Sequence, residues 1–94
     1  MKLIFKERFN KEAKLISSER VRRAALEIID AAETVSHPLE ISGSKALRYY
    51  PGCYRFRIDG EFRIVAYFNG RDSLTFISIL HRRDAYKELH FLKR

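Results

Sequence analysis

The chain has 94 residues, enough for one small domain spanning 1–94 and too few for a second core. Lysine and arginine number 19 against 12 acidic residues, a formal net charge of +7, which points to an anionic partner: nucleic acid, an acidic protein or an anionic membrane. With 46% hydrophobic and 13% aromatic residues it is not a disordered composition, and no apolar run approaches the roughly 20 residues of a spanning helix, so membrane is the weakest of the three.

The opening Met1-Lys2-Leu3-Ile4-Phe5 is too short for a signal sequence. The single cysteine, Cys53, excludes an internal disulfide and a cysteine-based metal cluster, and its place in a strand pattern predicts a buried thiol. A cytoplasmic protein is expected. Lys2 to Lys6 reads as a first strand. Asn10 is the expected cap of a brief helix through Ile16, and Ser17 or Ser18 caps the next. In that second helix Val21, Ala24, Ala25, Ile28, Ile29 and Ala32 fall at helical spacing, with Arg20, Arg22, Arg23, Glu27 and Asp30 between them. His37-Pro38 stops it near Ser36, because the residue before proline leaves the helical region. The two helices are expected to fold back on each other and cover a sheet.

Leu39 to Gly52 reads as a connector with a basic and aromatic tint (Lys45, Arg48, Tyr49, Tyr50), ending at Pro51-Gly52. Tyr49 and Tyr50 read as packing or partner contacts rather than base-stacking platforms. Three strands on a meander follow. In the first, Tyr54, Phe56 and Ile58 point one way and Arg55, Arg57 and Asp59 the other. A two-residue Asp59-Gly60 turn would oppose Ile58 and Glu61, mixing apolar and charged residues on each face. A three-residue loop, Asp59-Gly60-Glu61, pairs Ile58 with Phe62, Phe56 with Ile64 and Arg57 with Arg63, and is preferred. Phe62 to Phe68 is the middle strand, Asn69-Gly70-Arg71-Asp72 a hairpin loop, and Ser73 to His81 the last strand. Ala85 to Leu92 is the expected terminal helix. The fold class is therefore α+β: an N-terminal strand, a helical hairpin, a three-stranded antiparallel meander and a short C-terminal helix.

Arg55, Arg57 and Arg63 on one face of a hairpin are electrostatically awkward unless something compensates them. An anion would, and the planar guanidinium suits phosphate oxygens. The arginines alone fit equally well the wet face of an antiparallel sheet. That face, carrying Arg55, Arg57, Arg63, Val65 and Ser78, is expected to be partly open.

Gly52-Cys53-Tyr54-Arg55-Phe56-Arg57, then Phe62-Arg63-Ile64-Val65, then Ile77-Ser78-Ile79 running into His81-Arg82-Arg83-Asp84-Ala85-Tyr86, resemble the RelE/ParE toxins of type II toxin–antitoxin pairs. The order of elements agrees over nearly the whole chain. The resemblance implies one of two activities. RelE-like members cut messenger RNA in the ribosomal decoding site; ParE-like members share the fold and poison DNA gyrase. In the RNases the matching positions are basic on the first meander strand, arginine on the second, and arginine and tyrosine after the last. Here they read Arg55, Arg57, Arg63, Arg82 and Tyr86, a pattern similar to the RNase branch. The implied partners are a cognate antitoxin, the ribosome and mRNA, with gyrase as the alternative target.

RNA cleavage by its own 2′-OH needs that hydroxyl deprotonated, the phosphorane charge stabilised and the 5′-oxygen protonated. The four arginines would stabilise charge, and Tyr86 would stack on a base or orient the hydroxyl. RelE-like enzymes tend to have lysine on the first strand, and arginine cannot give up its proton in its place. The expected base is therefore His81, with Glu61 and Tyr86 behind it. As a strand-end residue His81 also fits a hydrogen-bonded structural role. His37, His81 and His90 have no ligand-like spacing with acids, so no metal and no cofactor is expected.

Overall fold

The computed structural model describes residues 1–85; Tyr86 and most of the expected terminal helix lie outside the described residues. The elements in chain order are β1 (Lys2–Phe5), α1 (Glu7–Lys14), α2 (Glu19–Thr34), a 3-10 turn (Pro38–Glu40), β2 (Ser44–Ala46), β3 (Cys53–Ile58), β4 (Phe62–Phe68), β5 (Ser73–His81) and α3 (Arg82–Ala85). This is the expected α+β order with one strand added.

The three-residue loop is present. Ile58 pairs with Phe62, Phe56 with Ile64, Tyr54 with Ala66 and Arg57 with Arg63, so the apolar and basic faces stay separate. Asp59 and Gly60 make the turn in the left-handed region, at φ 49° and 70°, where an aspartate-glycine pair is at home. β4 then pairs antiparallel with β5, and β1 lies parallel on the far side of β5. Leu39 to Gly52 is more than a connector. Ser44–Ala46 pairs antiparallel with β3 and closes a five-stranded sheet of order β1-β5-β4-β3-β2. Three residues are too few to show an alternation, which is why the strand escapes a periodicity reading.

The apolar character of β5 on both sides has a physical origin. Its register with β4 slips between Val65, opposite Ser78, and Ala66, opposite Phe76, which leaves Ile77 as a bulge. The bulge resets the alternation, so Leu74, Phe76 and Ile79 all reach the same core. α2 covers that core with Val21, Ala25, Ile28 and Ala32, spaced at helical intervals. Ser18 is its cap, its hydroxyl accepting the Val21 N–H at 3.3 Å.

Asn10 does not cap α1. The helix begins at Glu7, directly after β1, and Asn10 is an interior residue whose N–H bonds the Lys6 carbonyl at 3.1 Å. The strand ends where the Lys6 N–H meets the Phe76 carbonyl at 2.9 Å, and the chain turns at once into helix. Phe9 then packs its ring on Phe5 and Phe76 in the core. Beyond Phe76 no strand among the described residues pairs with β5 on this edge, and α1 lies there instead. The Glu12 carboxylate accepts the Ile79 N–H at 3.2 Å and the hydroxyl of fully buried Ser78, with the Arg8 Nε 3.5 Å from its other oxygen. After α2, the imidazole of His37 accepts the Leu39 N–H at 3.1 Å and Glu40 accepts the His37 N–H at 2.8 Å, a reciprocal cap that ends the helical hairpin.

Candidate functional site

The second face of the sheet is built from cross-strand rows. Lys45 on β2 lies opposite Arg55 on β3, which lies opposite Val65 on β4. In the next row Arg57 lies opposite Arg63, which lies opposite Leu80 on β5. Residues paired in this way point to the same side. The register thus gathers Lys45, Arg55, Arg57 and Arg63 on one face, with Arg57 exposed and Arg55 half-buried. Lys45 is the addition that sequence reasoning missed. The usable signal was Pro51-Gly52, a turn that implies a strand on both sides.

The expectation of an open face holds over β2 and β3 and fails further across. Arg63, Val65, Ser78 and Leu80 are all buried. Arg63 is 7% exposed because its guanidinium folds back along the hairpin, donating to the carbonyls of Gly60 at 3.2 Å and Phe62 at 2.9 Å. Its Nε is buried with no hydrogen-bond partner. Ser78 is turned to Glu12, as described above.

The carboxylates lie elsewhere. Asp59 pairs with Arg20 at 3.1 Å, Glu12 with Arg8, and Glu61 stands 4.0 Å from the His81 Nε2. Among the described residues none pairs with Lys45, Arg55, Arg57 or Arg63. A buried or crowded cation ordinarily has an anionic partner. The arrangement is a cationic face suited to phosphate oxygens.

His81 is not brought to this face. It pairs with Phe62, and its ring meets the Phe62 ring edge-on at 5.4 Å on the side covered by the helices. Its Nδ1 accepts the Arg83 N–H at 3.2 Å, so the neutral ring carries its proton on Nε2, towards Glu61. Arg82 is exposed at the start of α3, its N–H bonded to the Glu61 carbonyl at 2.6 Å. Tyr86 lies outside the described residues.

The family model of the ParE toxin of type II toxin–antitoxin systems (parDE) matches residues 3–86. No curated protein sequence matches the chain. Among solved structures, the RelB–RelE antitoxin–toxin complex from Methanococcus jannaschii is similar at 26% identity and TM-score 0.77, over 89% of this chain and 95% of that one. The YoeB/ParE toxin from Agrobacterium tumefaciens matches at 21% identity and TM-score 0.70, over 86% and 98%. An arginine-substituted RelE toxin of E. coli in the free state matches at 21% identity and TM-score 0.68, over 99% and 97%; these last two speak for the fold. With its sequence matched over 3–86 by the toxin family model and its fold similar to that of these toxins, the chain belongs to the RelE/ParE superfamily of type II toxin–antitoxin toxins.

Proposed function

We propose that this toxin is a ribosome-dependent, metal-independent endoribonuclease that cuts mRNA and so stops translation. The observation that carries the reading is the face of four cations that no carboxylate pairs among the described residues, with the Arg63 Nε buried and unpartnered among them. Cleavage by the adjacent 2′-OH builds negative charge on a phosphorane, and guanidinium groups fixed before substrate arrives stabilise that charge without reorganisation. Arg57 holds the scissile phosphate over the buried charge of Arg63, Arg55 and Lys45 hold the neighbouring phosphates, and Arg82 approaches from the end of the last strand. Tyr86 stacks on a base or orients the attacking hydroxyl.

His81 carries the proton in this reading under a condition set by its geometry. The ring must release the Arg83 N–H and turn from the Phe62 side before Nδ1 can accept. His81→Asn keeps an acceptor for that N–H and removes the titratable ring. It is expected to slow cleavage about 10²–10⁴-fold with the thermal midpoint unchanged. A rate within threefold of wild type removes His81 from the chemistry.

A cognate antitoxin neutralises the toxin, in keeping with the RelB–RelE complex among the similar structures. An acidic or amphipathic segment suits the surface. The groove between α1 and α2, about 410 Å³ and lined by Phe9, Ala13, Ile16, Ala25, Leu26 and Ile29, takes the apolar side of such a segment, with Lys14 and Arg22 at its rim for the acidic side.

A second reading draws on the ParE name of the matched family model: inhibition of DNA gyrase by binding, without catalysis. Primer extension on a reporter mRNA in a reconstituted translation system, with gyrase supercoiling assayed in parallel, separates the two. Cuts on translated message that vanish with Arg57→Ala support the RNase. Intact message with inhibited supercoiling moves the protein to the gyrase branch.

A further inference from the structure

The β2–β3 connection carries a side-chain pair that the cationic face does not account for. Tyr49 is 79% exposed, so of the two roles expected for it, packing or partner contact, its ring does not fill the first. The Arg48 guanidinium carbon lies 6.0 Å from its ring centroid, at the outer limit of a cation–π contact, and shades one side of the ring.

The segment that presents them is tied at both ends. The Leu47 N–H bonds the Cys53 carbonyl at 2.9 Å, and the Cys53 N–H bonds the Tyr50 carbonyl at 2.9 Å. Gly52 lies so close to Tyr67 that a Cβ would stand 2.6 Å from its ring, and the Gly52 carbonyl takes the Phe68 N–H at 2.8 Å. An aromatic held out of the fold by a turn this well anchored is pre-organised for a flat ligand.

Its neighbours say which ligand. Lys45 and Arg55 lie opposite each other on the two strands that the Tyr49 turn joins. Cations that track a phosphate backbone, followed by an exposed ring, are the parts of a single-strand binding site. Phosphates spaced along one strand match this row of cations, and a base beside them matches the ring.

We propose that Tyr49, shaded by Arg48, is a stacking platform for one unpaired base of the RNA whose phosphates lie on Lys45, Arg55 and Arg57. This rests on the RNase reading and adds to it a residue that contacts the substrate base. Stacking on an aromatic ring is tolerant of base identity, so the platform sets where the message lies more than which codon is cut.

The test uses ribosomes programmed with an mRNA carrying 2-aminopurine at successive positions of the exposed codon and 2′-O-methyl on the attacking hydroxyl. One position is expected to show fluorescence quenched by wild type and by Tyr49→Phe. Tyr49→Ala is expected to lose that quenching and bind about tenfold more weakly, and on unmodified message to raise KM with kcat within twofold. Tyr49 is exposed enough for the variant to fold, which its thermal midpoint checks. Equal quenching and affinity for wild type and Tyr49→Ala overturns the platform while leaving the RNase reading intact. Unchanged RNA binding with weakened antitoxin binding makes Tyr49 a protein contact and also overturns it. A wild type that neither binds nor cuts message removes the RNase reading itself, and the platform with it.

Discussion

In the proposed RNase, Arg63 sets stability against function. It is a buried cation with an unpartnered Nε and no carboxylate among the described residues, a costly arrangement in a folded protein. Arg63→Met replaces it with an apolar side chain of similar length. The variant is expected to gain about 1 kcal/mol, raising the thermal midpoint by about 4–8 °C, and to lose message cutting. A midpoint that falls would mean that the two carbonyl contacts at Gly60 and Phe62 outweigh the buried charge. Residues of this kind set the limit of sequence reading. The pairing of Arg57 with Arg63 followed from keeping apolar residues on one face, yet the fold-back of the Arg63 guanidinium did not. Nothing in an alternating pattern reports whether a long side chain stands out or lies down.

At the scale of elements, two side chains, those of Glu12 and Asn69, hold β5 in place. Glu12 serves as a surrogate strand for its free edge, accepting the Ile79 N–H and the Ser78 hydroxyl. Glu12→Ala leaves both without an acceptor and is expected to cost about 2–4 kcal/mol in a denaturant titration. Glu12→Gln, which keeps a carbonyl oxygen in place, recovers most of that. At the other end, Asn69 orders the β4–β5 loop by accepting the N–H groups of Arg71, Asp72 and Ser73 at 2.8–3.1 Å, while its amide donates to Asp72 at 3.0 Å. That hydrogen bond is the main cause holding the Asp72 carboxyl below its ordinary value, with Arg71 and Lys2 adding to it. A depressed folded value means that the contribution of Asp72 to stability is present above its unfolded pKa and is lost as pH falls through the lowered one. Asn69→Ala is expected to raise the Asp72 pKa in an NMR titration; an unmoved value would place the cause elsewhere. The elements legible in the sequence were the long or strictly alternating ones, the second helix and the Tyr54-Phe56-Ile58 strand. β2 was too short to alternate, and α1 begins at Glu7 behind a lysine, Lys6, that offers no side-chain cap to announce it. The bulge at Ile77 hid the two-residue period of β5.

On the whole molecule, charge and apolar surface divide by side. The sheet face carries Lys45, Arg55 and Arg57, which no carboxylate pairs among the described residues, while the helical side carries the groove, with Leu26 58% exposed at its edge. The two surfaces are therefore separable by mutation. Leu26→Glu is expected to weaken antitoxin binding at least tenfold in a calorimetric titration and leave mRNA cutting unchanged. Loss of both would mean one shared surface.

The pairing of β1 with β5 joins residues 2–5 to residues 73–76, the first strand made to the last. During synthesis β1 has no strand to pair with until residues 73–76 have been made, an interval of seconds at cellular rates of translation. Closing so long a loop is slow as well as late. The Phe5, Phe9 and Phe76 cluster cannot form before then either. A message abandoned before its last strand therefore releases a fragment without a closed core, and a cell that fails to finish this protein has not armed it.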